Sequence, residues 1–312
     1  MTNTDGGNRV AIVTGAGRGM GRTHALALAD AGCRVVVNDI DGDAAQQVVH
    51  EICERGGHAV LDDHDIVHDP VALVATAIDA FGRLDVLINN AGVLGVTAFG
   101  DVSAESWDKV FDSLIKGPVG VTRASWKHLL QSDAGKVVNV SSVGMLGNPG
   151  FTAYGAGKAA VFGFTKSLAL EAIGTNVTVN CILPSAWTRM SEAIPDPLVR
   201  DVLQKHFQPE HVSSFVAWLA HPANRINNEA FEVGAGRASR VRLGVGPGVQ
   251  VTTSDIDAWF QQQDKLMASG GELTPVDTST DLFGLEVARA VEDLNLQQFT
   301  EKPVQFDNVE FQ

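Results

Sequence analysis

The chain has 312 residues and a formal net charge of −14 at pH 7, and because such an acidic surface repels nucleic acids and anionic lipids, we expect neither as a partner. Its 3 cysteines form no Cys-x-x-Cys pair, which predicts a reducing compartment and argues against a disulfide framework or a zinc site. The polar segment at 1–8 predicts no signal peptide, and no run of about 18 apolar residues is present, so we expect a cytoplasmic protein with no membrane span.

Apolar runs rich in β-branched residues alternate with longer helical patterns along most of the chain. The predicted strands lie at 9–14, 34–38, 58–61, 84–88, 136–141, 176–182 and 230–234. The predicted helices lie at 20–31, 42–55, 69–81, 104–131 and 153–173. Runs without polar alternation are typical of parallel strands that are covered on both faces. The order of elements therefore predicts an α/β fold with a doubly wound, seven-stranded parallel sheet in three layers.

The pattern changes after Gly236. Residues 237–253 are predicted to be strand-like with a turn, and two amphipathic segments follow near 255–268 and 281–294. We therefore expect a main domain at 1–236, which carries the motifs below, and a C-terminal extension at 237–312 that packs on the same domain.

A glycine-rich loop joins the first strand to the first helix. It reads Thr-Gly-Ala-Gly-Arg-Gly-Met-Gly over residues 14–21. Gly15, Gly19 and Gly21 would let a pyrophosphate approach the backbone and meet the positive end of the helix. The loop predicts dinucleotide binding, and an ordinary glycine-rich turn is the alternative.

Asp39 ends the second strand, where a carboxylate can accept both hydroxyls of a ribose. The same carboxylate would repel a 2′-phosphate, so it predicts NAD rather than NADP. The alternative is a cap for the next helix, a role that Asp41 or Asp43 could also fill. Arg18 is an opposing indication, because a cation in the glycine loop could meet a 2′-phosphate.

Acidic residues and histidines cluster after the third strand, at Asp62-Asp63-His64-Asp65 and at His68 and Asp69. We favour a solvated loop over a metal site and expect no metal. Asp65 and Ile66 lie where the edge of the sheet would meet an adenine ring.

Tyr154 is the single tyrosine of the chain and lies four residues before Lys158, so both side chains share one helical face. Ser141 precedes Tyr154 by thirteen residues, and Ser142 is a rival at twelve. An ammonium about 4 Å from a phenol would lower its pKa by roughly three units. Each residue alone fits a structural role, but a dinucleotide loop with all three indicates transfer of a hydride and a proton.

These elements together resemble the short-chain dehydrogenase/reductase superfamily over residues 9–236. The resemblance rests on the glycine loop, Asp65-Ile66, Asn89-Asn90-Ala91-Gly92, Ser141, Tyr154-x-x-x-Lys158 and Pro184. Four further segments are similar to the (3R)-hydroxyacyl-CoA dehydrogenase units of type 2 multifunctional enzymes, which are also described as 17β-hydroxysteroid dehydrogenases: 36–39, 121–126, 147–148 and 231–236. The resemblance implies a Rossmann fold. It also implies a homodimer or homotetramer assembled through 104–131 and the tyrosine-bearing helix.

The resemblance also implies roles for single residues. Tyr154 would be the general acid and base, and Ser141, chosen because its spacing matches the family pattern, would hydrogen-bond the substrate oxygen. Lys158 would bind the nicotinamide ribose and Thr188 the carboxamide. The implied cofactor-binding set is Gly15, Arg18, Gly19, Met20, Gly21, Asp39, Asp65, Ile66, Asn90, Ala91, Gly92, Tyr154, Lys158, Pro184 and Thr188.

One position departs from the family pattern. Many members place an asparagine on the long helix, where it holds a water in a proton relay, and the matching residue here is Leu114. A leucine cannot hold a water, so a relay would need Ser113 or Asp112 instead. This departure motivates the alternative of a catalytically silent NAD(H)-binding regulatory protein.

The substrate-binding loop is expected at 187–210, where Trp187, Met190, Ile194, Leu198, Val202 and Leu203 would form an apolar wall. Leu94, Leu146 and Phe151 would line the other side. Phosphates of a coenzyme A thioester could meet Arg200, Lys205, Arg237, Arg240 and Arg242. We expect an NAD-dependent dehydrogenase of a 3-hydroxyacyl-CoA with a bulky apolar acyl group, and a free hydroxysteroid is the alternative substrate.

Overall fold

The computed structural model describes residues 8–188, 196–252, 255–268 and 271–293. The chain divides into two compact units, one that ends at Arg240 and one that begins at Val241. Of the predicted substrate loop, Met190 and Ile194 lie outside the described residues.

The first unit is built on one sheet of eight strands in the order β3-β2-β1-β4-β5-β6-β7-β8. The strands are β1 (Val10–Thr14), β2 (Arg34–Asn38), β3 (His58–Asp62), β4 (Val86–Asn89), β5 (Lys136–Val140), β6 (Thr178–Ser185), β7 (Ala230–Gly234) and β8 (Arg237–Arg240). The strands from β3 to β7 run parallel, and β8 pairs antiparallel with β7. The predicted fold class, with seven parallel strands, is confirmed, and the sheet gains an eighth strand beyond Gly236.

Helices cover both faces of this sheet. They are α1 (Gly19–Asp30), α2 (Gly42–Glu54), α3 (Pro70–Phe81), α4 (Ala104–Phe111), α5 (Gly117–Gln131), α6 (Thr152–Glu171), α7 (Pro197–His206) and α8 (Pro209–Ala220). One apolar cluster includes buried residues of α1, α2 and α8, and a second includes those of α3, α5 and α6. Central strands such as β1 are buried along their whole length, which explains their unbroken apolar sequence.

Two helical regions differ from the sequence-based expectation. The predicted helix at 104–131 is interrupted by a π-helical turn at Asp112–Lys116, which separates α4 from α5. Helices α7 and α8 had no predicted counterpart, because proline residues interrupt the periodic pattern of that region. Among the described residues, no helix is both long and apolar enough to cross a membrane.

The second unit contains a small antiparallel sheet of β9 (Leu243–Val245) and β10 (Thr274–Val276). Two helices accompany it, α9 (Ile256–Met267) and α10 (Ser279–Asp293). The two amphipathic segments predicted after residue 254 correspond to these helices.

The strand order fixes where a ligand can lie. Strand β1 lies between β2 and β4, so the connections that leave β1 and β4 go to opposite sides of the sheet. In open α/β sheets, the crevice at the carboxyl ends of such strands is the usual ligand site. The glycine loop follows β1, Asp39 follows β2 and Asn90 follows β4, so the sequence places polar and glycine residues at this crevice.

Candidate active site

Two cavities adjoin at the carboxyl edge of the sheet. The larger has a volume of about 1000 Å³ and the smaller a volume of about 350 Å³. Met20, Asn90, Gly92 and Thr188 line both cavities, so the two are continuous. Every residue that the sequence analysis named as catalytic or cofactor-binding lines one cavity or the other.

The glycine loop is packed tightly on one side and open on the other. A Cβ atom at Gly21 would lie 2.0 Å from the carbonyl oxygen of Gly15, and a Cβ atom at Gly15 would lie 2.8 Å from the Cα atom of Ala91. Gly19, which begins α1 with a φ of +54°, has no heavy atom within 4 Å of its Cβ position. The N-terminus of α1 is therefore bare toward the larger cavity, as the approach of a pyrophosphate requires.

Asn90 ties the glycine loop to the turn after β4. Its side-chain amide donates to the carbonyl oxygens of Thr14 at 2.9 Å and of Gly15 at 3.1 Å. The Thr14 hydroxyl accepts in turn from the backbone N–H groups of Asn90 and Ala91, both at 3.0 Å. Asn90 thus holds the backbone of the glycine loop in place through hydrogen bonds. The sequence analysis did not predict this structural role.

Asp39 is held in place by the backbone around it. Its two carboxylate oxygens accept from the N–H of Gly17 at 2.9 Å and from the N–H of Asp41 at 3.0 Å. The side chain of Arg18, across the same rim of the cavity, forms an ion pair with Asp41. The Arg18 cation is therefore already engaged by a carboxylate.

The acidic and histidine cluster after β3 forms an internal hydrogen-bond network. The carboxylate of Asp62 accepts from Asn38 at 2.8 Å and from the hydroxyl of Thr76 at 2.7 Å, and His64 Nδ1 lies 2.9 Å from it. The hydrogen bond to Asp62 raises the pKa of His64. Asp62 thus orders the loop that presents Asp65 and Ile66 to the larger cavity.

Tyr154 and Lys158 lie on the first two turns of α6 and face the smaller cavity. Lys158 is 5 % exposed, its Nζ atom donates to the carbonyl oxygen of Val140 at 2.7 Å, and the same atom lies 5.7 Å from the centroid of the Tyr154 ring. Burial lowers the pKa of Lys158 to about 8, so this ammonium remains charged for the most part at neutral pH.

Burial raises the pKa of the Tyr154 phenol above its usual value, and a hydrogen bond with the Ser142 hydroxyl opposes that rise. The prediction that Lys158 brings this pKa down is therefore wrong for this arrangement. Desolvation is the largest cause of the shift, and Lys158 is not among its causes. At neutral pH the phenol carries its proton.

The structure separates the two candidate serines. The Ser141 side chain is 2 % exposed, and its hydroxyl donates to the backbone carbonyl of Lys158 at 2.7 Å, within the packing of α6. The Ser142 hydroxyl accepts from the N–H of Gly144 at 3.0 Å and forms the hydrogen bond with Tyr154. Ser142 is therefore the serine whose hydroxyl lies beside the phenol, whereas Ser141, the choice made from spacing, directs its hydroxyl at α6.

The alternation of side chains along β5 explains this outcome. Asn139, two residues before Ser141, also directs its side chain at α6, where it donates to Thr165 at 2.9 Å. Because residues i and i+2 of a strand share a face, Ser141 follows Asn139 toward α6. Gly144 was not among the predicted residues, yet a Cβ atom there would lie 3.1 Å from the Tyr154 ring, so it permits the close approach of Ser142 and Tyr154.

Leu114 lies in the π-helical turn and is 1 % exposed. Its side chain contacts both Gly92 and Gly157, where added Cβ atoms would lie 2.6 Å and 2.8 Å from its methyl carbons. The neighbouring Ser113 accepts from the N–H of Val93 at 3.2 Å and so fastens the turn after β4 to the helix. Leu114 therefore fills the space beside Lys158 with apolar atoms, and Ser113 has a tethering contact.

The walls of the smaller cavity are mostly apolar. Leu94, Phe151 and Leu203 line it as predicted. Leu146 is 78 % exposed and Leu198 is 71 % exposed, and neither lines this cavity, so their predicted place in the wall is wrong. Both lie at the surface of short helical segments.

Three of the cations considered for coenzyme A phosphates form ion pairs. Lys205 pairs with Asp201 at 2.8 Å, Arg240 with Glu229, and Arg242 with Asp277. Arg200 and Arg237 are exposed. The ion pairs show that these three cations already meet carboxylates within their own units.

Known proteins share the sequence and the fold. The family model described as short chain dehydrogenase matches residues 9–196. Peroxisomal multifunctional enzyme type 2 of Mus musculus is 41 % identical over 245 residues, which cover 75 % of this chain and 32 % of the mouse protein. The chain therefore spans about a third of the length of that relative.

Two further proteins match along nearly their whole length. The 3-oxoacyl-acyl-carrier-protein reductase of Synechocystis is 40 % identical over 237 residues, covering 73 % of this chain and 96 % of the reductase. A 7α-hydroxysteroid dehydrogenase solved with NADH and 7-oxo glycochenodeoxycholic acid superposes with a TM-score of 0.67 at 28 % identity. That likeness covers 73 % of this chain and 93 % of the solved one.

Proposed function

Because this chain belongs to the short-chain dehydrogenase/reductase family, we propose that it is an NAD-dependent dehydrogenase that interconverts a secondary alcohol and a ketone. One observation carries the proposal. Tyr154, Ser142 and Lys158 line the smaller cavity, and that cavity opens into the larger one along Asn90 and Gly92. A proton-transfer group thus lies next to a chamber suited to a dinucleotide.

The residues of the larger cavity fit a dinucleotide. The open Cβ position of Gly19 and the bare N-terminus of α1 are suited to a pyrophosphate. Asp39, fixed by two backbone N–H groups, would accept the hydroxyls of a ribose and repel a 2′-phosphate, which supports NAD. When bound, the nicotinamide group supplies the hydride chemistry.

The proton chemistry falls to Tyr154. In ketone reduction its phenol, protonated at neutral pH because burial raises its pKa, donates a proton to the carbonyl oxygen. The Ser142 hydroxyl donates a hydrogen bond to the same oxygen and stabilises the charge that develops there. Alcohol oxidation needs the phenolate instead, so its rate should rise with pH.

The substrate that we propose is a 3-hydroxyacyl-CoA with a bulky apolar acyl group. The apolar lining of the smaller cavity supports an aliphatic or alicyclic substrate. The Synechocystis relative is named a 3-oxoacyl-acyl-carrier-protein reductase, and it matches along nearly its whole length. A hydroxysteroid is the second candidate, because the solved dehydrogenase that shares this fold holds a bile-acid derivative.

Initial rates of NADH formation with 3-hydroxyacyl-CoAs and with free hydroxysteroids test the substrate. We expect the 3-hydroxyacyl-CoA with the bulkier acyl group to give the highest kcat/KM, because apolar contact in the cavity adds about 0.8 kcal/mol for each buried methylene. A higher kcat/KM with a free steroid would favour the second candidate. Binding of NAD without turnover of either substrate class would instead favour a regulatory NAD(H)-binding protein.

We further propose a cytoplasmic homodimer or homotetramer that assembles through α4, α5 and α6. The free cysteines, of which Cys33 and Cys181 are buried and Cys53 is exposed, support a reducing compartment. Sedimentation of the purified chain would give the oligomeric state.

A further inference from the structure

Two charged residues at the β2 side of the larger cavity are Arg18 on the glycine loop and Asp39 at the end of β2. Asp41, just before α2, forms an ion pair with Arg18. The two oxygens of Asp41 have different partners. One oxygen accepts from the N–H of Ala44 at 3.1 Å and caps α2, and the other meets the guanidinium of Arg18. The helix cap therefore aims Asp41 at Arg18.

Arg18 is the cation of this loop that a 2′-phosphate could reach. Arginine binds phosphate through paired, charge-assisted hydrogen bonds, which are roughly twice as strong as neutral ones. In this chain the Arg18 guanidinium meets a carboxylate instead, and that carboxylate would itself repel a phosphate. The opposing sequence indications, Asp39 for NAD and Arg18 for NADP, are thus resolved by a third residue.

We propose that Asp41 is a second determinant of cofactor specificity, which keeps Arg18 from binding the 2′-phosphate of NADP. The inference rests on the proposed binding of a nicotinamide dinucleotide and extends it. Asp39 excludes the phosphate by direct repulsion. Asp41 acts through Arg18, because it forms an ion pair with this residue, the one cation in the glycine loop. Removal of Asp39 alone therefore leaves Arg18 engaged.

The pair could instead be an ordinary surface ion pair. Arg18 and Asp41 have side-chain exposures of 55 % and 36 %, and exposed pairs contribute little to folding stability. The two possibilities differ in what they predict for NADP. A surface pair leaves the affinity for NADP unchanged when Asp41 loses its charge, and a specificity determinant does not.

The test measures dissociation constants for NAD and NADP by calorimetry, without substrate. Asn is as good a helix cap as Asp, so Asp41→Asn removes the charge and keeps the bond to Ala44. We expect Asp39→Ser with Asp41→Asn to bind NADP about tenfold to a hundredfold more tightly than Asp39→Ser alone, the range of one hydrogen bond to a charged group. Addition of Arg18→Ala should abolish this gain.

Asp43→Asn is the matched control, because Asp43 is also an acidic residue in the first turn of α2 and no ion pair joins it to Arg18 among the described contacts. In the Asp39→Ser background it should change the NADP affinity by less than about twofold. Equal NADP affinities for Asp39→Ser with and without Asp41→Asn would overturn the inference. Asp41→Ser, which also caps a helix, repeats the test if the first variant folds poorly.

Failure of the proposed function gives a different result. A wild-type chain that binds neither dinucleotide, or that prefers NADP, contradicts the proposed cofactor itself. A wild-type chain that prefers NAD, with variants in which Asp41 has no effect, contradicts only the role of Asp41.

Discussion

Replacement of Tyr154 by Phe is expected to lower kcat by about 10²- to 10⁴-fold, the contribution of a positioned general acid or base. The phenol hydroxyl is the one ionisable group of the smaller cavity that can exchange a proton with a substrate oxygen, since Lys158 is turned to the carbonyl of Val140. The measurement is the steady-state rate of NADH formation with the best alcohol found in the substrate screen.

The same variant should keep its fold and its affinity for the cofactor. Phe retains the ring that packs against Phe151, whose centroid lies 5.9 Å from that of Tyr154. The melting temperature and the dissociation constant of NAD should therefore stay close to those of the wild type. A variant that folds, binds NAD and retains more than a tenth of the wild-type kcat would show that Tyr154 does not carry the proton.

Tyr154 also sets the expected pH dependence of the wild type. Because burial raises its pKa, the phenolate that accepts a proton from an alcohol is scarce at neutral pH. The rate of alcohol oxidation should therefore increase as the pH rises toward the pKa of the phenol, and the residual rate of Tyr154→Phe should lack this increase.

Replacement of Ser142 by Ala should lower kcat/KM by about 10²- to 10³-fold, the cost of removing one hydrogen-bond donor to a developing oxyanion. Ser141→Ala is the matched control, because it removes the same atom from the adjacent residue. Its hydroxyl donates to the backbone of Lys158 inside the protein, so we expect its loss to affect stability more than the rate.

The pH profile distinguishes the two serines further. The hydrogen bond from Ser142 lowers the pKa of Tyr154, so Ser142→Ala should raise that pKa and move the rising limb of alcohol oxidation to higher pH. Ser141→Ala should not change the pH at which the rate of alcohol oxidation rises. A larger loss of kcat/KM in Ser141→Ala than in Ser142→Ala would restore the assignment made from spacing alone.

The sequence predicted the elements whose patterns are local. The strand ending at Thr14, the glycine loop and the helix after it follow from a short apolar run and a fixed glycine spacing, and the structure has β1 and α1 there. The pairing of Tyr154 with Lys158 followed equally from helical periodicity, and both lie on α6. Each of these features is decided within a few residues of chain.

The serine could not be assigned in the same way. The residues between the serines and Tyr154 include the short helical turn at Val143–Leu146 and an irregular connection to α6. The number of residues in this segment does not say which serine side chain faces the phenol. The alternation of side chains along β5 does predict the orientation of Ser141, since Asn139 and Ser141 share the face that packs on α6. A pattern carried by the strand is thus more informative here than a distance measured along a loop.

Contacts between residues that are distant in the sequence could not be predicted from local sequence patterns either. Arg18 and Asp41 are 23 residues apart, and their ion pair depends on how the glycine loop and the start of α2 meet across the sheet edge. The π-helical turn around Leu114 is likewise fixed by its packing on Gly92 and Gly157. Tertiary packing of this kind decides local structure against the simple helical pattern.

The most direct test of the central claim follows the hydride itself. The wild-type chain would be incubated with NAD and a 3-hydroxyacyl-CoA that carries deuterium on the carbinol carbon, and the NADH formed would be analysed by mass spectrometry. Hydride transfer in the crevice beside Tyr154 predicts one deuterium in each NADH, with Tyr154→Phe forming labelled NADH far more slowly. NADH without deuterium, or the absence of any NADH from a folded chain that binds NAD, would contradict the account.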